Sequence, residues 1–153
     1  MKRSWIKRKR YTWKKRKKAI RKKSPKKRLR DRIGAIHFKI LKLERGEKCE
    51  ITKKTCNDLG RFHILPVGEY PEMEYHSLNV LLVSWFYAHD DWHHDYFKAK
   101  AIEYDIKRLR GENYENELKA LAVIQPRHTM VYLRGLEKAF EKMYEDLLRG
   151  VRT

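Results

Sequence analysis

Apolar residues recur at helical spacing through most of the second half of the chain. In 96–110 they fall at Phe97, Ala101, Ile102, Tyr104, Ile106 and Leu109, and Gly111 ends the pattern. In 113–124 they fall at Tyr114, Leu118, Leu121, Ala122 and Ile124, with Pro126 just beyond. A third stretch, 130–149, carries Leu133, Leu136, Phe140, Tyr144 and Leu147 on one face, with Thr129 placed as N-cap and Gly150 as the stop. Upstream, 33–43 is also amphipathic and predicts a helix leading into the domain. The centre reads differently. Phe62-His63-Ile64-Leu65 before Pro66 predicts a strand that ends at the proline, and Asn79 opens the apolar run Val80-Leu81-Leu82-Val83. Strand signals in the middle and helix signals after them predict an α+β fold.

The histidines change the picture. Five of the seven lie between 63 and 94. His89 and His93 are four residues apart, which on a helix puts both imidazoles on one face. Two imidazoles converging on one side can bind a divalent metal. The same stretch, His89-Asp90-Asp91-Trp92-His93-His94, also fits a polar helix start. A zincin site is disfavoured, because no glutamate follows His89. His37, His76 and His128 have no partner at a useful spacing and read as structural.

Charge then divides the chain. Lysine and arginine total 38, and residues 1–32 hold 19 of them with a single acid, Asp31, so the remainder is neutral and the whole +18 sits in the first fifth. Like charges at this density oppose collapse, so the segment is expected to be disordered by itself. Aromatic residues interleave with the cations, which suits phosphate binding with base stacking. The nucleic-acid-binding positions are therefore Lys2, Arg3, Trp5, Lys7, Arg8, Lys9, Arg10, Tyr11, Trp13, Lys14, Lys15, Arg16, Lys17, Lys18, Arg21, Lys22 and Lys23. A membrane-surface helix would show a defined apolar face, and this stretch has none. The division expected is a basic arm over 1–32, a lead-in helix over 33–46, a core over 47–98 and a helical region over 99–153.

The longest apolar run, 78–88, is broken by Asn79 and Ser84 and is shorter than the ~20 residues a membrane span needs. No apolar stretch of signal-peptide type follows the basic start. Two cysteines make no disulfide framework, which favours a reducing, cytoplasmic setting.

The order His63-Ile64-Leu65-Pro66, then Asn79, then histidines at helical spacing resembles the HNH endonucleases. A narrower resemblance is to the phage NinG (Rap) recombination endonucleases. It rests on the Gly60/His63 strand, the long loop with Tyr75 before Asn79, and the helix-rich end. The resemblance implies a ββα-metal core: a hairpin over 60–66 and 75–83, then a helix from 84–88 holding the metal. It implies that His63 is the general base and that Asn79 fixes its ring by a hydrogen bond. It makes His89 and His93, with His94 beside them, the ligands of one divalent ion, magnesium, manganese or zinc. The activity implied is hydrolysis of DNA phosphodiester bonds, on branched or single-strand-containing recombination intermediates of a phage or prophage, with RNA as the other candidate substrate.

The pattern departs from the family in two places. Phe62 occupies the position before the base, where many members have a metal ligand; Asp58, Asp90 or His94 are the candidates to replace it. Many relatives also carry two Cys-x-x-Cys pairs for a structural zinc. Here Thr52 stands where a partner for Cys49 would be, and Ser84 and Tyr87 replace the second pair. Cys49 and Cys56 alone do not make a tetrahedral site, so no structural zinc is expected. Trp85, Phe86 and Tyr87 are expected to pack the hairpin onto its helix instead. His63 also fits a strand histidine satisfied by a backbone carbonyl, and Asn79 a turn residue. Two other functions fit the same composition: a catalytically inactive nucleic-acid-binding protein and a ribonucleoprotein-associated one.

Overall fold

A computed structural model describes residues 23–86 and 96–150. The described chain opens with α1, Pro25–Arg45. Ser24 caps it, accepting a hydrogen bond from the Lys27 N–H, and Pro25 takes the first helical position, where its missing N–H costs nothing. Gly46, at φ 79°, ends it by donating its N–H to the Lys42 carbonyl. Leu29, Ile33, His37, Ile40 and Leu41 form its buried stripe. The helix thus starts eight residues earlier than the boundary expected from charge. Leu29, only 3% exposed, anchors a turn whose remaining side chains are almost all cationic, and apolar spacing alone does not register a single leucine.

A tight turn follows α1. An isolated bridge pairs Lys48 with Thr55, and Lys53 takes a left-handed conformation at φ 60°. The two strands, β1 (Leu59–His63) and β2 (Val80–Ser84), pair antiparallel, with Leu59 opposite Ser84, Phe62 opposite Leu81 and His63 opposite Val80. The loop between them contains two short 3-10 turns, Pro71–Met73 and Ser77–Asn79. β1 ends at His63, three residues short of Pro66, and β2 begins at Val80 as the apolar run does, not at 75 as the resemblance implied. Past His63 the backbone pairs with the Asn79 side chain instead of continuing the ladder: the Leu65 N–H donates to Asn79 Oδ1.

Three helices complete the described chain: α2 (Tyr96–Arg110), α3 (Tyr114–Ile124) and α4 (Met130–Leu148). Thr129 caps α4 through the Tyr132 N–H, as its position suggested. β2 is buried along four of its five residues because the hairpin lies between two layers. Phe62, Leu81 and Val83 pack with Ile102 and Ile106 of α2 and Tyr114, Leu118 and Ala122 of α3. Val80 and Leu82 face the other way, onto Leu41 of α1. Leu29 and Ile33 of α1 then meet Tyr75 and Leu133, with Met130, Leu136 and Phe140 of α4 against them. The α+β class holds. No helix among the described residues is long and apolar enough to cross a membrane.

Candidate active site at the end of the hairpin

Strand alternation assigns the side chains of β1. Phe62 points into the main core and is 7% exposed, while Arg61 and His63 lie opposite Leu82 and Val80 on the α1 side. Phe62 is therefore a packing residue on the face away from His63, and the position before the base supplies no metal ligand.

His63 Nε2 lies 3.0 Å from the Glu74 carbonyl oxygen. A carbonyl only accepts, so Nε2 carries the proton and Nδ1 carries the lone pair. Nδ1 has no hydrogen-bond partner among the described residues. Burial pushes the imidazole below its ordinary pKa; the Glu74 carbonyl opposes this in part, and the Arg61 charge adds to it. At neutral pH the ring is uncharged, with one nitrogen able to take a proton.

Asn79 is fully buried, and its amide does not reach the His63 ring. This corrects the expectation of a direct hydrogen bond. Its Oδ1 accepts from the Leu65 N–H at 2.7 Å, and its Nδ2 donates to the carbonyls of Leu65 at 3.2 Å and Met73 at 3.1 Å. Its own carbonyl accepts from the Ile64 N–H. Asn79 thus ties both ends of the loop together and holds Met73, the neighbour of the residue whose carbonyl grips His63. The orientation of the ring is set at one remove.

Glu74 is held from its other side as well. Arg30 of α1 donates to its carboxylate at 2.6 and 2.7 Å, and Tyr75 donates its hydroxyl to the Arg30 carbonyl. Beside it lies a polar cluster that histidine spacing did not reveal. Arg61 Nη1 lies 3.4 Å from His37 Nδ1, and its guanidinium sits 5.9 Å from the centre of the Tyr75 ring. Arg61 has no carboxylate within ion-pair distance among the described residues. His37 stacks on Phe140 at 5.2 Å, and burial together with the Arg61, Arg45 and His63 charges lowers its pKa to about 3. His128 stacks between Tyr75 and Tyr132. The signal that could have found Arg61 is the strand period: it stands two residues before His63 and so shares its face.

His89, His93 and His94, and Asp90 with them, fall outside the described residues, as do Tyr87 and the arm residues from Lys2 to Lys22. Lys23, the last arm position, pairs with Asp31. No group of three histidine, cysteine or acidic side chains able to hold a metal exists among the described residues. Asp58 does not fill the place of Phe62. Its carboxylate accepts from the Ser84 hydroxyl and the Phe86 N–H, at the opposite end of β1. Five residue steps of extended chain separate it from His63, roughly 16 Å along the strand, too far to share one ion.

Cys49 and Cys56 are free thiols. Burial raises the Cys49 pKa, but hydrogen bonds from Thr52, Ser84 and Ile51 outweigh it and leave the thiol below its usual value. Its sulfur sits in the turn with the Thr52 N–H at 3.4 Å. Trp85 and Phe86 are 47% and 71% exposed, and the helix they were expected to pack against lies outside the described residues. Compared with protein-family models, curated proteins and solved structures, the chain matches none.

Proposed function

We propose that the protein is a metal-dependent endonuclease of the HNH type that hydrolyses DNA phosphodiester bonds. The observation that carries this reading is the state of His63: an uncharged, half-buried imidazole whose tautomer is set by a backbone carbonyl, leaving Nδ1 as a proton acceptor. That is what a base activating water at neutral pH requires. The antiparallel hairpin with His63 at the end of one strand and Asn79 just before the next agrees with it. The basic arm supplies the affinity for a polyanion.

His89 and His93, with His94 beside them, would hold one divalent ion; when bound, it neutralises charge gathering on the phosphate and the departing oxygen. His63 takes the proton of the attacking water, Glu74 and Asn79 keep its ring in place, and the arm holds the DNA near it. Branched or single-strand-containing recombination intermediates, and a phage or prophage protein acting in the bacterial cytoplasm, are the narrower form of the proposal, and they rest on the sequence resemblance. The second reading, a binding protein without catalysis, is favoured by Phe62, whose place in the core gives the site one ligand position fewer.

The test is cleavage of linear and branched duplexes in magnesium, manganese or zinc. His63→Ala should lower the rate by about 10²–10⁴-fold while DNA affinity stays near that of the parent, because proton transfer contributes little to binding. Excess metal should partly rescue His89→Ala and should not rescue His63→Ala. A parent that cuts nothing in any metal hands the protein to the second reading. Equal cutting by His63→Ala removes His63 as the base.

A further inference from the structure

A cavity of about 460 Å³ opens between α1 and the start of the hairpin, within the ~300–1,000 Å³ typical of small-ligand sites. Lys27, Arg30 and Gly34 line it from α1, and Gly60, Arg61 and Trp85 from the hairpin. Among the described glycines, only Gly34 and Gly60 have neighbours that a Cβ would crowd, and both are here. A Cβ on Gly34 would come within 2.5 Å of the Arg61 guanidinium, and one on Gly60 within 3.1 Å of the Trp85 ring. The absent side chains leave room for the Arg61 guanidinium and the Trp85 ring, both of which line the opening.

Among the described residues the lining carries three cations, Lys27, Arg30 and Arg61, against two carboxylates, Asp31 and Glu74. Lys27 is paired with Asp31, and Arg30 with Glu74, both within 3.0 Å. Arg61 meets His37 and the Tyr75 ring and feels the Glu74 charge, but has no carboxylate within ion-pair distance among the described residues. A guanidinium in a partly buried site favours a phosphate that accepts its fork of donors. An indole beside it favours a flat, apolar partner, and 47% of Trp85 is exposed. One ligand class joins the two: a nucleotide, with its phosphate on Arg61 and its base on Trp85. Lys23, the first described residue, is paired with Asp31 in the lining of the same cavity.

A larger cleft, of about 500 Å³, lies on the other side of α1, against α4. Arg28, Arg32, Arg134 and Lys138 line it without an aromatic residue, so it suits a phosphate backbone but offers a base nothing to stack on. A base inside a duplex is already stacked and paired, and cannot enter the smaller cavity. We infer that the cavity between α1 and the hairpin captures one unpaired nucleotide of the nucleic acid that the arm holds. This rests on the proposed nucleic-acid substrate and narrows it to strands with an unpaired base.

The experiment measures binding without cleavage, in chelator, by the full chain. The two ligands are a blunt duplex and the same duplex with a single-stranded tail. The parent should prefer the tailed ligand. Trp85→Ala should reduce that preference by about 5- to 150-fold, the range of one lost base–aromatic stack, with blunt-duplex affinity unchanged. Trp85→Phe should retain much of it. Ala35→Glu adds a carboxylate at an exposed position of the lining and should also reduce the preference, with an unchanged melting temperature. A parent with no preference, or a Trp85→Ala protein that keeps it, overturns the inference. A parent that prefers the tail in chelator but cleaves neither ligand once magnesium, manganese or zinc is supplied leaves the inference standing and removes the nuclease reading.

Discussion

The two faces of the hairpin are built from alternate residues of the same strands and do opposite work. The face toward α2 and α3 is apolar: Phe62, Leu81 and Val83 meet Ile102, Ile106 and Leu118 with no ionisable side chain among the buried residues except the tyrosine of Tyr114 and the thiol of Cys49. The face toward α1 carries Leu82 and Val80 beside Arg61, His63 and His37, with Glu74 and Tyr75 arriving from the loop. The first face can supply stability. The second gives some of it up, since burying Arg61 and two histidines opposes charge that water would otherwise solvate. The comparison teaches that five residues of strand suffice to hold a core and a chemical site 180° apart, provided helices cover both sides.

Substitutions on adjacent residues should separate the two faces most clearly. Phe62→Ala should cost about 3–5 kcal/mol in denaturant unfolding, the range for a buried phenylalanine. Arg61→Met keeps the volume and removes a cation with no carboxylate beside it, so stability should stay level or rise. If Arg61→Met destabilises as much as Phe62→Ala, the polar face is contributing stability as the apolar one does.

Acid should act on the polar face. The folded-state pKa of His37 is about 3, below its ordinary 6.5, so the unfolded chain binds the extra proton first. The stability due to the neutral ring is complete above pH 6.5 and is lost as pH falls toward 3. The slope approaches about 1.4 kcal/mol per pH unit, or roughly 2–3 kcal/mol by pH 4.5. His63, also lowered, adds in the same direction. His37→Phe should flatten the stability–pH curve between pH 6.5 and 4.5; an unchanged slope would place the acid sensitivity elsewhere.

The smallest effect is expected at Gly34. Alanine gains about 1 kcal/mol of helix propensity, while its Cβ displaces only the far end of a flexible arginine. Gly34→Ala should therefore leave the melting curve within about 1 kcal/mol of the parent. A loss well beyond that would mean the Arg61 position is rigidly required by the polar face.

Much of the helical half was legible from apolar spacing and end signals. The reading over 96–110 coincides with α2, Thr129 caps α4, and Leu133, Leu136 and Phe140 do pack on one face. Ile124 and Tyr104 fit the helical pattern and are nonetheless 74% and 68% exposed, because a period identifies a face and not what covers it. The start of α1 was hidden by its charge, although Ser24-Pro25 is a cap signal that stands in the sequence.

At the candidate site the division is sharper. The sequence by itself determined that a strand carrying His63 precedes a strand opened by Asn79, since apolar runs, Pro66 and the strand period are local properties of the chain. Only the tertiary structure decided what grips the histidine. The Glu74 carbonyl is a backbone group that every residue possesses, and nothing in residue type marks it. It is brought to Nε2 by the loop that Asn79 closes and by Arg30, 44 residues before Glu74 in the chain. The same long-range approach of α1 made Arg61 and His37 neighbours, 24 residues apart. Spacing reports contacts within one element; contacts between elements exist only once the core has packed them together.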